Sequence, residues 1–221
     1  PEFFTQKQRL WHRFMDYPGA AGKATKIIAV SESTKKDLMD LYKVKEDKIK
    51  VIYPGVHPHP PARLRYDEVV AGGQPLSLRE RGDERPGEDY FLYFGTFEPR
   101  KNIQSVIDAY EKYFDQSRVK RKLVLAGSFG WKSNLQIPAH LRQHIKVTQN
   151  VSEVEKKKLY QNAFAAIFLS YYEGFGFPIL EAASFGLPVI SSFATSLQEI
   201  GKNFALFVNP FRPSQVAMAM Q

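Results

Sequence analysis

The sequence predicts an α/β fold, a parallel sheet with helices packed on both faces. Three observations predict it. From Tyr90 onward, short apolar runs of strand length alternate with longer segments of helical period. Gly, Pro and Ser punctuate the joins. The run Ile27 to Val30 is continuously apolar, which suits a strand covered on both sides.

The elements follow in order. Phe3 to Tyr17 mixes aromatic and basic residues at helical spacing and breaks at Pro18-Gly19. Lys26 to Val30 reads as a buried strand. Ser31 or Ser33 then caps a helix running to about Tyr42, and Thr34 and Asp37 have capping-box spacing. Ile49 to Tyr53 is a second strand, stopped by Pro54-Gly55. His57 to Asp89 is rich in Pro, Gly, Arg and acids with little apolar period, so it predicts an exposed linker or insertion. Strands follow at Tyr90–Phe94, Lys122–Ala126, Ile145–Val147, Ala165–Leu169, Pro188–Ser191 and Ala205–Val208. Helices fall at Ile103–Phe114, Glu153–Asn162 and Pro178–Phe185, and another opens at Ser214. Residues 1–56, 57–89 and 90–221 thus read as the end of one domain, a linker and a second domain. Pro1 in place of Met, and a helix still running at Met220, predict a piece of a longer chain.

Composition narrows the chemistry. The 221 residues hold 43% hydrophobic and 24% charged side chains, enough to bury a real core. There is no cysteine, which excludes disulfides and thiolate metal sites and fits a cytoplasmic setting. No apolar run has membrane-spanning length. The net charge of +8 favours phosphorylated small molecules or an anionic membrane face, or is simply a solvated basic surface. No zinc-finger spacing or RNA-binding aromatic signature points to nucleic acid.

Chemistry concentrates in two places. The first is Glu173-Gly174-Phe175-Gly176-Phe177-Pro178, just after a strand. The glycines allow close backbone approach, and Pro178 suits the first position of a helix. Free N–H groups at such a helix start form an anion site that fits a diphosphate. Glu181, one turn in, can accept two hydroxyl hydrogen bonds of the kind a ribose offers. The same residues also suit a helix that merely starts with Gly and Pro and carries acids near its positive end. The second place is Gly95-Thr96-Phe97-Glu98-Pro99-Arg100-Lys101-Asn102, between a strand and a helix. Arg100 can grip phosphate oxygens bidentately and Lys101 can act as a point charge. A solvated basic loop is the alternative there.

Together, Glu173-Gly174-Phe175-Gly176-Phe177-Pro178, Glu181-Ala182 and Gly186-Leu187-Pro188-Val189 resemble the two-glutamate motif of retaining GT-B glycosyltransferases of group 1. The resemblance implies a Rossmann-like C-terminal half of the GT-B fold, with residues 1–56 as a fragment of the N-terminal acceptor domain. It implies a role for Glu181 on the nucleotide ribose and a catalytic place for Glu173 beside the donor sugar. The amides of Phe175 and Gly176 would meet the diphosphate or sugar. The Gly95 segment resembles the family's phosphate-binding turn. Lys101 matches the family lysine, and Thr96 stands where many members carry Arg, a variant common among mannosyltransferase-like members. Arg100 is then the candidate second cation.

Gly127 and Ser128 resemble a further cleft-lining turn. Lys146 to Val151 resembles the loop that holds the base. Ser196-Leu197-Gln198-Glu199 resembles a Ser-Leu-Pro-Glu turn, with Glu199 read as structural. His57, His59, His140 and His144 show no metal partnership and read as exposed, and His12 has no catalytic context. The implied function is retaining transfer of a hexose, mannose ahead of glucose, from a GDP- or UDP-linked sugar to a saccharide or lipid-linked acceptor. No metal or cofactor is called for. The alternative is a non-catalytic module of the same fold that holds nucleotide or a partner.

Overall fold

The computed structural model describes residues 5–7, 15–56, 90–132 and 134–221. Two parallel sheets form. The smaller pairs β1 (Ile27–Ala29) with β2 (Ile49–Val51). It is accompanied by α1 (Tyr17–Lys23) and α2 (Glu32–Tyr42) and has its own core of Ala29, Val44 and Ile49.

The larger sheet contains β3 (Tyr90–Phe94), β4 (Lys122–Gly127), β5 (Ile145–Gln149), β6 (Ala165–Phe168), β7 (Val189–Ser192) and β8 (Ala205–Val208). All pairings are parallel, in the order β5-β4-β3-β6-β7-β8. The helices are α3 (Ile103–Gln116), α4 (Glu153–Asn162), α5 (Phe177–Ser184), α6 (Ser196–Gly201) and α7 (Pro213–Ala219). Helices α3 and α7 pack together, while Tyr160 of α4 meets Phe94 and stacks on Phe185, just past α5. Every residue of β6 and β7 is buried, Ser191 and Ser192 included, as suits central parallel strands covered on both faces.

The topology locates the site. From β3 the chain moves outward through β4 to β5, then returns to β6 on the other side of β3. The order therefore reverses between β3 and β6, and ligands in such sheets bind outside the carboxyl ends of the strands at that point. The two segments that carry chemistry follow β3 and β6.

Some local readings change. Pro18-Gly19 does not break a helix. It sits in the first turn of α1, where Pro lacks only an N–H that would be unpaired anyway, and Asp16 accepts from the Gly19 N–H at 2.9 Å. Ser31, not Ser33, caps α2, accepting from the Thr34 N–H. Thr34 and Asp37 form no capping box, because both side chains turn to the other domain's loop. Helix α5 begins one residue before Pro178, with Gly176 as its N-cap at φ 102°. The proposed 57–89 linker lies outside the described residues, as does most of Phe3 to Tyr17.

Candidate active site at the sheet switch point

After β3 the chain makes a short 3-10 turn, Pro99–Lys101, then enters α3 through Asn102 in the left-handed conformation (φ 54°). The buried Asn102 amide donates to the carbonyls of Leu169 (3.1 Å) and Pro210 (3.3 Å), tying this turn to the ends of β6 and β8. The Tyr171 N–H donates to the Arg100 carbonyl at 2.8 Å. The two loops are thus laced together by backbone and side chain.

The result is a charge cluster around Glu173. Its carboxylate accepts from Lys101 Nζ at 2.6 Å, Arg100 Nη1 at 2.9 Å and Ser170 Oγ at 2.7 Å. Glu98, with a side chain only 3% exposed, takes the other arm of Arg100 at 2.6 Å. Burial alone would raise the Glu173 pKa. The Lys101 charge, its hydrogen bond, the Ser170 hydroxyl and the Arg100 charge outweigh it and hold the carboxyl below its ordinary value. Glu173 is therefore an anion that fixes two cations.

The next residues are pinned by hydroxyls. The Glu173 carbonyl accepts from Thr195 Oγ1 and Ser196 Oγ, both at 2.9 Å. The Gly174 carbonyl accepts from Ser31 Oγ (2.7 Å) and Thr34 Oγ1 (3.0 Å) of α2 and its cap. Among the described residues, the N–H groups of Gly174, Phe175 and Gly176 donate to no acceptor. Free amides at the start of a helix are what an anion needs. Lys101 and Arg100 are bound to Glu173, the residue that precedes these amides.

Glu181 lies in a looser setting, meeting Lys156 Nζ and Tyr160 Oη, each at 3.3 Å. Gly95 and Thr96 follow β3, and among the described residues no hydrogen bond links them to the Glu173 cluster. The Gly95 N–H donates to Ala126, and the Thr96 carbonyl accepts from Tyr93. Gly127 approaches Gly95 so closely that a Cβ there would lie 1.9 Å from the Gly95 oxygen. Glu199 is structural, as its context suggests. Its carboxylate caps α2, accepting from the N–H groups of Glu32 (2.8 Å) and Ser33 (3.2 Å). His140 is exposed, 3.6 Å from Glu111. His144 corrects the reading of an exposed residue, because it is half-buried against the Phe114 ring, with centroids 4.5 Å apart. His12, His57 and His59 lie outside the described residues.

Sequence reasoning missed Glu98, Ser170, Thr195, Ser196, Ser31, Thr34 and Lys156 as parts of the site. Only the Ser152–Glu155 capping box, which fixes where α4 and so Lys156 begin, had a readable signal. A separate groove of about 390 Å³, lined by Tyr90, Lys146, Thr148 and α4 residues, shares no side chain with the cluster.

A reversed parallel sheet, with a cation turn and a glycine loop meeting at its switch point, and a smaller sheet beside it, is the architecture of a fragment of the GT-B fold. The chain belongs to the glycosyl transferases group 1 family, whose model matches residues 77–221, while the Glycosyltransferase Family 4 model matches residues 1–59. It is 37% identical over 127 residues to O-antigen chain mannosyltransferase B of Escherichia coli, covering 56% of this chain and 33% of that protein. It is 29% identical over 213 residues to O-antigen chain mannosyltransferase RfbU of Salmonella typhimurium, covering 95% of this chain and 53% of the relative. The chain thus spans about half or less of the length of these curated relatives. In fold it is similar to WaaG, a glycosyltransferase involved in lipopolysaccharide biosynthesis, with TM-score 0.67 and 18% identity over 98% of this chain and 59% of that one. It is also similar to Anabaena HepE in complex with UDP and glucose, with TM-score 0.66 and 18% identity over 99% of this chain and 57% of that one. No described helix is long and apolar enough to cross a membrane.

Proposed function

We propose that this chain carries the donor site of a retaining hexosyltransferase. The enzyme takes a hexose, mannose ahead of glucose, from a GDP- or UDP-linked sugar to a saccharide or lipid-linked acceptor. The observation that carries the reading is the placement of Lys101 and Arg100 beside the unpaired amides of Gly174, Phe175 and Gly176. Cations and a helix N-terminus converging on one point stabilise the charge that grows on a departing diphosphate. On this reading Lys101, Arg100 and the amides supply that charge without a metal. Glu181 holds the ribose. Glu173 keeps a negative charge next to the sugar, where positive character develops as the bond to phosphate breaks. The preference for mannose is supported by the mannosyltransferase relatives. The same reading puts the enzyme in the cytoplasm, with its basic surface free to meet an anionic membrane face.

Titration with GDP and UDP tests the reading. The chain is expected to bind one of them and, without the rest of the acceptor domain, to show no turnover. Lys101→Ala should lose about 1.5–3 kcal/mol of binding, roughly ten- to a hundredfold. The salt dependence of binding should shrink with it. Affinity unchanged in Lys101→Ala removes Lys101 from the phosphate site.

A further inference from the structure

Two successive peptide planes at the head of α5 are each held by a pair of hydroxyls, and the two pairs come from different parts of the chain. Thr195 and Ser196 precede and open α6, and both donate to the Glu173 carbonyl. Ser31 and Thr34 lie in the segment matched by the Family 4 model, and both donate to the Gly174 carbonyl. A trans peptide is planar, with its C=O and N–H on opposite sides. Pinning the Glu173 oxygen on α6 therefore turns the Gly174 N–H away from α6. Pinning the Gly174 oxygen on α2 turns the Phe175 N–H away from α2. These are the amides that stay unpaired.

Packing fixes the later part of the loop, since Phe175 is buried with its ring against Phe177 and Gly176 lies against Leu197, but it does not fix Gly174. Gly174 has open space around its Cα: a Cβ there would meet only Thr34 Oγ1, at 3.9 Å. The Ser31 side of the lock is rigid: Ser31 is fully buried, and Glu199 holds the neighbouring amides of Glu32 and Ser33. Tyr172 adds a hydrogen bond to Asp37 further along the same helix.

We propose that Ser31 and Thr34 are positioning residues for donor binding, contributed by the acceptor-side segment and acting through the orientation of the Gly174–Phe175 peptide. The inference rests on the donor-site reading above. It means that the diphosphate amides are set only while α2 is docked on the loop, so a residue remote from the cation turn controls affinity for the diphosphate.

The test uses an isosteric pair in the whole chain. Thr34→Val keeps shape and removes the hydroxyl, and Thr34→Ser keeps the hydroxyl. GDP, UDP and inorganic diphosphate are the probes, with Lys101→Ala as the comparison and thermal melting as the check on folding. Thr34→Val should bind about threefold more weakly and Ser31→Ala/Thr34→Val about tenfold or more, with Thr34→Ser close to the wild type. Inorganic diphosphate should lose affinity by the same factor as the nucleotides, because the effect lies at the amides. In the free protein, residual dipolar couplings should show the Phe175 N–H vector reoriented in the double variant. Wild-type affinity in Thr34→Val and the double variant, with Lys101→Ala weakened as expected, overturns the inference and leaves the donor site standing. An unmoved Phe175 vector overturns it independently of any ligand. No binding of any probe by the wild type overturns the donor-site reading and the inference together.

Discussion

Glu173 and Glu181 stand on either side of one helix start, yet they are built differently. Glu173 is buried, takes three donors at 2.6–2.9 Å and is held ionised by two cations. Glu181 meets two donors at 3.3 Å, with its side chain 28% exposed. One acid is saturated by protein donors, and the other keeps part of its carboxylate exposed. Two carboxylates of one short segment are therefore held in opposite ways: one organises two cations, and the other is bound loosely near the surface.

The sharpest way to break this comparison is to remove each acid and measure stability in urea. Glu173→Ala leaves Lys101 and Arg100 without their shared anion, and breaking a buried pair in this way should cost about 3–5 kcal/mol. Glu181→Ala should cost less than about 1 kcal/mol. Equal losses would erase the distinction.

Acid gives the next largest effect. The folded pKa of Glu173 lies below its ordinary value of 4.5. Its stabilisation is therefore complete above that value and is lost as the pH falls through the lower folded pKa. Glu173→Gln should flatten this acid limb of the stability curve. An acid limb unchanged in Glu173→Gln would place the titrating group elsewhere.

The smallest effect sharpens the ligand side. Glu181→Gln should weaken nucleotide binding by about threefold while stability moves by less than about 0.5 kcal/mol, because an amide still accepts one hydroxyl. Calorimetric titration separates the two readouts. A full loss of binding would make Glu181 as central as Lys101.

The sheet was readable because its strands are buried on both faces and are largely apolar, as Tyr90–Phe94 and Ala165–Phe168 are. Glu173, Glu181 and Lys101 were readable because glycine, proline and charge cluster there within a few residues. Helix α6 was missed because six residues are too short to show a period. Thr195 and Ser31 were missed because nothing local marks a hydroxyl that meets a distant carbonyl; only the folded chain brings Ser31 to Gly174. Ser170 was missed because a serine at the end of a strand carries no mark of the carboxylate it will meet. The Pro18 error has a simpler cause, since Pro punctuates helix starts and helix ends alike.

The approach of Gly127 to Gly95 has a consequence for inheritance. Any side chain at 127 would overlap the Gly95 oxygen, and at 130 a Cβ would come within 2.9 Å of the Phe97 carbonyl oxygen. The Phe97 and Ser128 backbones are also hydrogen-bonded at 2.8 Å. Two turns that look independent along the chain can therefore drift only as one unit. A graft that brings in the turn after β3 from a relative must bring the turn after β4 with it.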